Sequence, residues 1–352
     1  CTTSYLGLDY HPDILKGAIE GLTAAKTLRI ANSKNRCKLE ILERYEKELS
    51  SLFNSTCLST LSCSAASSGI LPLLASGALT RHCPPTMIFD KNAHYSMNHL
   101  KASCADEAEV ITAPHNDISF IEDICKKHSN VAYIADGTYS MGGEADIDGL
   151  LHLKSRYGLF LYLDDSHALS AFGEQGNGFI RPRLQALDDR TIIVASLGKS
   201  FGASGGLIMF GNEKQKSLMY RYGGPSNWSQ SLNSAAIGAG LASIEIHRSA
   251  ELPALQKKLL SNLQLFDSLI HTQQHNTHTA IRLVNCGSAE TANALSIQLA
   301  DNGFFTSAVF FPVVPRGKAA IRITLRADMT RETIYSFCSA LLALIEENKI
   351  TG

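Results

Sequence analysis

The sequence predicts an α/β protein with an open, strand-rich sheet and a ligand site beyond the carboxyl ends of its strands. Two apolar runs, residues 159–163 (LFLYL) and 191–195 (TIIVA), read as buried strands. Each run ends in polar residues. The first delivers Asp164, Asp165 and His167; the second delivers Ser196 and Lys199, followed by Gly202, Gly205 and Gly206. In open α/β sheets ligands sit in this position, just outside the carboxyl ends of strands.

An acid, an imidazole, a hydroxyl and a lysine beside glycines outline a cofactor site. A lysine amine can form a Schiff base with an aldehyde. A carboxylate under a pyridine nitrogen keeps that nitrogen protonated, so the ring draws electrons from a carbanion. Pyridoxal phosphate (PLP) needs both, with hydroxyl and backbone N–H donors for its phosphate. Spacing alone leaves a plainer reading open, in which the aspartate caps a helix and the lysine is solvated. Two nucleotide motifs fail. A P-loop needs a glycine six positions before Lys199, where Ile193 stands, and the GEQGNG of residues 173–178 has no strand feeding it directly.

At 352 residues, 45% hydrophobic and 18% charged, the chain can bury a large core. A net charge of −1 gives no electrostatic reason to expect nucleic acid or an anionic membrane surface. The longest apolar run, residues 69–79, is too short for a membrane span and contains Pro72. No signal-peptide pattern is found. The chain opens at Cys1, already inside a motif, so a further N-terminal segment is expected upstream. Nine cysteines without CxxC pairs suggest reduced thiols, a cytoplasmic setting and small buried hydrophobes rather than ligands.

The paired motifs LDDSHALSAFGEQGNG (163–178) and SLGKSFGASGG (196–206) resemble the VDDAHG…GxxGRG…TxxKxxG pattern of the α-oxoamine synthase family of fold-type I PLP enzymes. The resemblance extends more loosely over nearly the whole chain. It implies a large domain with a mostly parallel seven-stranded sheet flanked by helices, plus a smaller α/β C-terminal domain. The expected division is an N-terminal segment (1–36), the large PLP-binding domain (37–233), and a linking helix with the small domain (234–352).

In chain order, SYLGLD (4–9) and His11-Pro12 resemble the family's NDYLGL…HP opening, with Thr3 where members carry Asn; a turn entering a helix at Pro12 fits equally well. Residues 24–36 depart from the family. CoA-dependent members carry a glycine-rich loop here, and this chain has none, so it cannot reach positive φ as cheaply. Lys34 and Arg36 are expected on a solvated face. Residues 38–53 have the apolar spacing of an amphipathic helix. Cys63 and Ser64 follow a short strand and open an apolar helix, whose free N–H groups suit an anion. By the resemblance this turn holds the PLP phosphate, with Cys63 and Ser64 replacing a glycine and a bulky residue.

The resemblance assigns further roles. His94, in FDKNAHYS, stacks over the pyridine ring. Asp136 and Ser140 reach the site from a strand over residues 131–135, Ser140 toward the phenolic oxygen or the substrate carboxylate. Asp164 pairs with the pyridinium nitrogen, and His167 contacts the ring oxygen and relays a proton, while Asp165 is structural. Ser196 binds phosphate, and Lys199 is the Schiff-base lysine and general acid–base. Ser229 and Gln230, in NWSQSL, reach the phosphate of a partner subunit, implying a homodimer with shared sites; Asn233 and Ser234 replace a Pro-Pro pair. Residues 234–248 read as a long helix. Arg322, in FPVVPRGKAAIRIT, binds the amino-acid carboxylate, for which a guanidinium has bidentate geometry; the motif's first arginine is Ala320 here. His271, His275 and His278 could ligate a metal by spacing, but their polar stretch without a carboxylate reads as a solvated loop.

The reaction implied is PLP-dependent condensation of an amino acid with an acyl-CoA thioester, with decarboxylation, to an α-aminoketone. An aminotransferase on the same scaffold is the alternative. A non-catalytic PLP-fold module is disfavoured because Asp164, His167, Ser196 and Lys199 are all present.

Overall fold

A computed structural model describes residues 2–348. Its strands are β1 (Thr56–Thr60), β2 (Thr86–Asp90), β3 (Val110–Ala113), β4 (Val131–Asp136), β5 (Phe160–Asp164), β6 (Thr191–Ser196), β7 (Gly206–Phe210), β8 (Ile281–Gly287), β9 (Ser307–Val309) and β10 (Ala319–Thr324). The helices are α1 (Pro12–Ala25), α2 (Glu40–Phe53), α3 (Cys63–Ala75), α4 (Tyr95–Asn98), α5 (Lys101–Ala105), α6 (Ile118–Lys127), α7 (Ile147–Tyr157), α8 (Glu213–Tyr222), α9 (Gly224–Trp228), α10 (Ser234–Arg248), α11 (Glu251–Leu269), α12 (Ala289–Asp301) and α13 (Arg331–Glu347).

The first seven strands form one sheet in the order β1-β7-β6-β5-β4-β2-β3. Only β7 runs against its neighbours, so this is the mostly parallel seven-stranded sheet the sequence implied. Every residue of β5 is buried, as are all of β6 except Ser196. Helices cover both faces, which is why these strands read as continuous apolar runs instead of alternating. Each buried Leu or Ile contributes about 1.5–3 kcal/mol. The strands β8, β10 and β9 make a second, antiparallel sheet.

Local chemistry fixes the ends of the helices. Pro12 opens α1, and the His11 side chain accepts the Asp13 N–H. The Ser62 hydroxyl caps α3, and Asn233, one of the residues replacing the prolines, caps α10 by accepting the Ala236 N–H at 2.8 Å. The α2 helix buries Leu42, Tyr45, Leu49, Leu52 and Phe53 along one face.

Residues near the N-terminus pack with the small sheet. Tyr5, Leu6, Leu8 and Ile14 share a hydrophobic core with β8, β10, α11 and α13, and the Tyr5 carbonyl accepts the Ala327 N–H at 2.7 Å. Gly202, in the loop after Lys199, lies against Leu8: a Cβ there would fall 2.5 Å from the Leu8 Cβ. The N-terminal segment therefore backs the lysine loop.

Three expectations are corrected. Lys34 is buried, not solvated: its ammonium donates to the Ser59 carbonyl at 2.7 Å and lies 3.7 Å from Glu46 Oε1. A buried ammonium needs such partners, and α2 supplies the acid through a helix face that periodicity marks as apolar. Arg36 is exposed, as expected. His271, His275 and His278 are exposed, as a solvated loop requires, but carboxylates are within reach, because the fold brings Asp267 to 3.7 Å from His275 and Glu144 to 3.0 Å from His278; Thr272 and Gln274 turn inward. Among the described residues no group of acids, histidines and cysteines could hold a metal ion. Lastly, Cys37 and Cys83 are exposed, whereas Cys57, Cys63, Cys104, Cys125, Cys286 and Cys338 are buried. No described helix is long and apolar enough to cross a membrane.

Candidate active site

Parallel pairing places the acids. Asp136 and Asp164 end adjacent strands and sit directly opposite each other in register. Asp164 Oδ1 accepts the Ser166 N–H at 2.9 Å, and Oδ2 accepts the Cys63 thiol at 3.3 Å. Burial and the neighbouring Asp164 push the Cys63 thiol well up, so it stays a protonated donor. A thiol is a weak donor, which leaves Oδ2 able to accept an N–H from a ligand. Asp136 accepts the His94 backbone N–H at 2.7 Å. Its carboxyl is pushed well above the usual range, first by burial and then by the charge of Asp164.

Lys199 lies in a turn closed by Leu197 N–H to Gly205 O at 2.9 Å and Gly202 N–H to Lys199 O at 3.1 Å. Gly202 (φ 76°) and Gly205 (φ 109°) adopt conformations other residues rarely reach. This turn aims Lys199 Nζ at His167 Nε2, 2.8 Å away. Burial lowers the lysine's pKa, Asp164 opposing it. His167 is held well below its ordinary value by burial and by Lys199, hence neutral. His94 stands exposed beside the cleft and feels both Asp164 and Lys199. From the small sheet, Arg322 on β10 reaches across to donate from Nε to the Ser140 carbonyl at 2.8 Å.

The fold thus brings together Cys63, His94, Asp136, Ser140, Asp164, His167, Lys199 and Arg322. Ser196 borders them: its N–H donates to Ser166 Oγ at 2.8 Å and its hydroxyl accepts the Gly198 N–H at 3.3 Å. Ser64 is exposed in the first turn of α3, where N–H groups have no intrahelical acceptor. Ser229 and Gln230 are exposed just after α9, and no side-chain hydrogen bond of theirs reaches this cluster among the described residues.

Two contributors escaped the sequence reading. Ser166 ties Asp164 to Ser196 from inside the DDSH motif. The Tyr5 phenol lies 2.6 Å from His167 Nδ1; its signal was the SYLGLD motif, but nothing local tells which residue the tyrosine meets. The glycines of GEQGNG serve the backbone. Gly173, Gly176 and Gly178 have positive φ, and Asp165 accepts the Phe179 and Ile180 N–H groups at 2.8 and 3.1 Å. A Cβ on Gly178 would lie 2.2 Å from that carboxylate.

The donor set fits PLP: an amine for the aldehyde, a carboxylate with a free lone pair for the ring nitrogen, imidazoles beside both, and a helix N-terminus for the phosphate. Comparison with known proteins agrees with this chemistry. Residues 32–341 match the family of aminotransferases class I and II. The chain belongs to that family. It is similar to the 8-amino-7-oxononanoate synthase of Geobacter sulfurreducens, at 27% identity over 99% of this chain and 88% of that protein. The same enzyme from Pseudomonas fluorescens is 28% identical over 99% of this chain and 87% of its own length. The fold matches a serine palmitoyltransferase from S. paucimobilis bound to a PLP–myriocin aldimine, with a TM-score of 0.87, 19% identity, and coverage of 99% of this chain and 87% of that one. It also matches 8-amino-7-oxononanoate synthase from Francisella tularensis, with a TM-score of 0.80, 18% identity, and coverage of 99% and 98%.

Proposed function

We propose that this aminotransferase-family protein is a PLP-dependent C-acyltransferase, condensing an amino acid with an acyl-CoA thioester and releasing CoA and carbon dioxide. The observation that carries the reading is the meeting of Lys199, His167 and Asp164 with Arg322, a guanidinium delivered by the other sheet. Relatives that share nearly the whole chain carry the name of such an enzyme.

When bound, PLP supplies an electron sink for negative charge at the substrate Cα. The chain's residues do the rest. Lys199 Nζ would hold the cofactor through its aldehyde, and the same amine is placed to move the proton at the substrate Cα. Asp164 Oδ2 would accept an N–H from the cofactor's ring nitrogen, and His94 would stand beside the ring. The α3 N-terminus at Cys63 and Ser64, with Ser196, holds the phosphate. Arg322, fixed through Nε by the Ser140 carbonyl, offers its terminal nitrogens to the substrate carboxylate. Asp136 positions His94 by its backbone. Ser229 and Gln230 are assigned to the phosphate of a second copy in a homodimer.

The test is spectroscopic and chemical. Purified protein given PLP should develop a visible band that Lys199→Ala lacks, and the right amino acid with acyl-CoA should release free CoA thiol and carbon dioxide together. Release without a band, or conversion of PLP to its amine form by the amino acid alone with recovery by a keto acid, overturns the acyltransferase.

A further inference from the structure

We propose that Tyr5 sets the tautomer of His167 and, through it, holds Lys199 as the neutral amine that captures the cofactor's aldehyde. This rests on the reading of Lys199 as the cofactor lysine.

Three side chains from distant parts of the chain form one line. Tyr5 Oη lies 2.6 Å from His167 Nδ1, and His167 Nε2 lies 2.8 Å from Lys199 Nζ. Tyr5 is 0% exposed and His167 3%, so neither can exchange its partner for bulk water. Proton direction follows from counting donors. Among the described residues the Tyr5 hydroxyl has no hydrogen-bond partner besides His167 Nδ1. Buried with no other acceptor, the hydroxyl gives its single proton to His167 Nδ1. A neutral imidazole that accepts at Nδ1 carries its proton on Nε2. That N–H needs a lone pair opposite, which Lys199 has only as –NH2. A lysine ammonium would set N–H against N–H.

Burial acts in the same sense. It pushes the Tyr5 phenol far up, the Arg322 guanidinium partly offsetting this, so the proton stays on the oxygen. It pushes His167 well down and lowers Lys199. The other charged groups facing Lys199 divide: Asp164 and Asp136 favour its charged form and Arg322 opposes it. His167 is faced by Arg322 and His94 as well as by the lysine, and all three disfavour the imidazolium. The order Tyr5 to His167 to Lys199 therefore keeps the amine nucleophilic. In the capture step Nζ attacks the aldehyde carbon, the C=N bond forms and water leaves. Tyr5 touches neither reactant and is a positioning residue.

The test uses the full chain freed of cofactor. Nitrogen-15 NMR of labelled histidine, with His167 assigned by its loss in His167→Gln, reads the tautomer directly. Wild type should show the proton on Nε2, and Tyr5→Phe should lose that preference. Capture of added PLP, followed by absorbance, should have its pH midpoint about one unit higher in Tyr5→Phe, hence run about tenfold slower below the midpoint and recover in alkali. A wild-type His167 protonated at Nδ1, or a Tyr5→Phe protein with unchanged tautomer and midpoint, overturns the proposal. The wild-type spectrum needs no variant, so it decides even if Tyr5→Phe fails to fold. Should wild type not bind PLP at all, the acyltransferase reading fails while the tautomer is still read.

Discussion

His247 shows how far a single buried imidazole can govern stability. It is 2% exposed, with Nδ1 donating to the Ser243 carbonyl at 2.7 Å and Nε2 paired with Ser170 Oγ at 2.8 Å. Burial lowers its pKa from 6.5 to about 4. The folded state therefore resists a proton that the unfolded chain accepts first. The resulting stability is complete above about pH 6.5 and is lost as pH falls toward 4, roughly 3 kcal/mol in all. Chemical denaturation at pH 7.5 and pH 5 should show wild type losing more stability on acidification than His247→Gln, by about 2 kcal/mol; equal losses would place the acid sensitivity elsewhere. At this scale the sequence was legible where a residue follows its strand directly, as Asp164 and Lys199 do. It was silent on His247 and on Tyr5, whose partner is 162 positions away, because such pairings are made by packing and leave no local pattern. Lys34 was misread for the same reason: its acid, Glu46, belongs to the next helix and also receives the Ser59 N–H and the Tyr220 hydroxyl.

Between elements, α1 and α10 approach each other closely. A Cβ on Gly238 would lie 2.1 Å from the Gly17 carbonyl oxygen, and one on Gly21 would lie 2.3 Å from the Ser234 carbonyl oxygen. The backbones touch, so neither helix can yield without separating. In an open helix interior Gly→Ala stabilises by up to about 1 kcal/mol. At these positions the sign reverses: Gly238→Ala and Gly21→Ala should each cost about 1–3 kcal/mol by overpacking. Gly224→Ala, with nothing within 4 Å, is the control that should cost little. Urea midpoints for the three variants check this, and an unchanged midpoint for Gly238→Ala would mean the helices are not held in contact. Helix α10 was readable to its ends because Asn233 caps it and Ser249 follows without periodicity. The central strands were readable because both faces are buried. The glycine contacts were not, since a glycine in a helix pattern does not name the helix it meets.

For the whole molecule, the proposed homodimer is testable at the surface around α9. Trp228 is 80% exposed and Ile19, on the outer face of α1, 66%; Leu15, Leu22, Leu28 and Tyr222 are exposed as well. Apolar surface so concentrated marks an interaction site. Leu28, Tyr222 and Trp228 share one region, because the Leu28 carbonyl accepts the Ser234 N–H at 2.9 Å and Ser33 hydrogen-bonds Asn227 beside them. Ser229 and Gln230 lie within it, and inside their own chain they make no side-chain hydrogen bond to the Lys199 cluster among the described residues. A second copy laid on this surface would cover the aromatics and give both residues a phosphate to bind. Sedimentation should then find twice the chain mass, and Trp228→Asp should halve it and weaken PLP binding at least tenfold, about 1.4 kcal/mol. Mixing decides whether the site is shared. Lys199→Ala subunits carry an intact Ser229–Gln230 pair, and Ser229→Tyr/Gln230→Ala subunits carry an intact lysine. Each alone should be inactive or weak, while mixed dimers regain one complete site and with it CoA release. A monomeric wild type that binds PLP fully, or mixed dimers no more active than their parents, would confine the site to one chain.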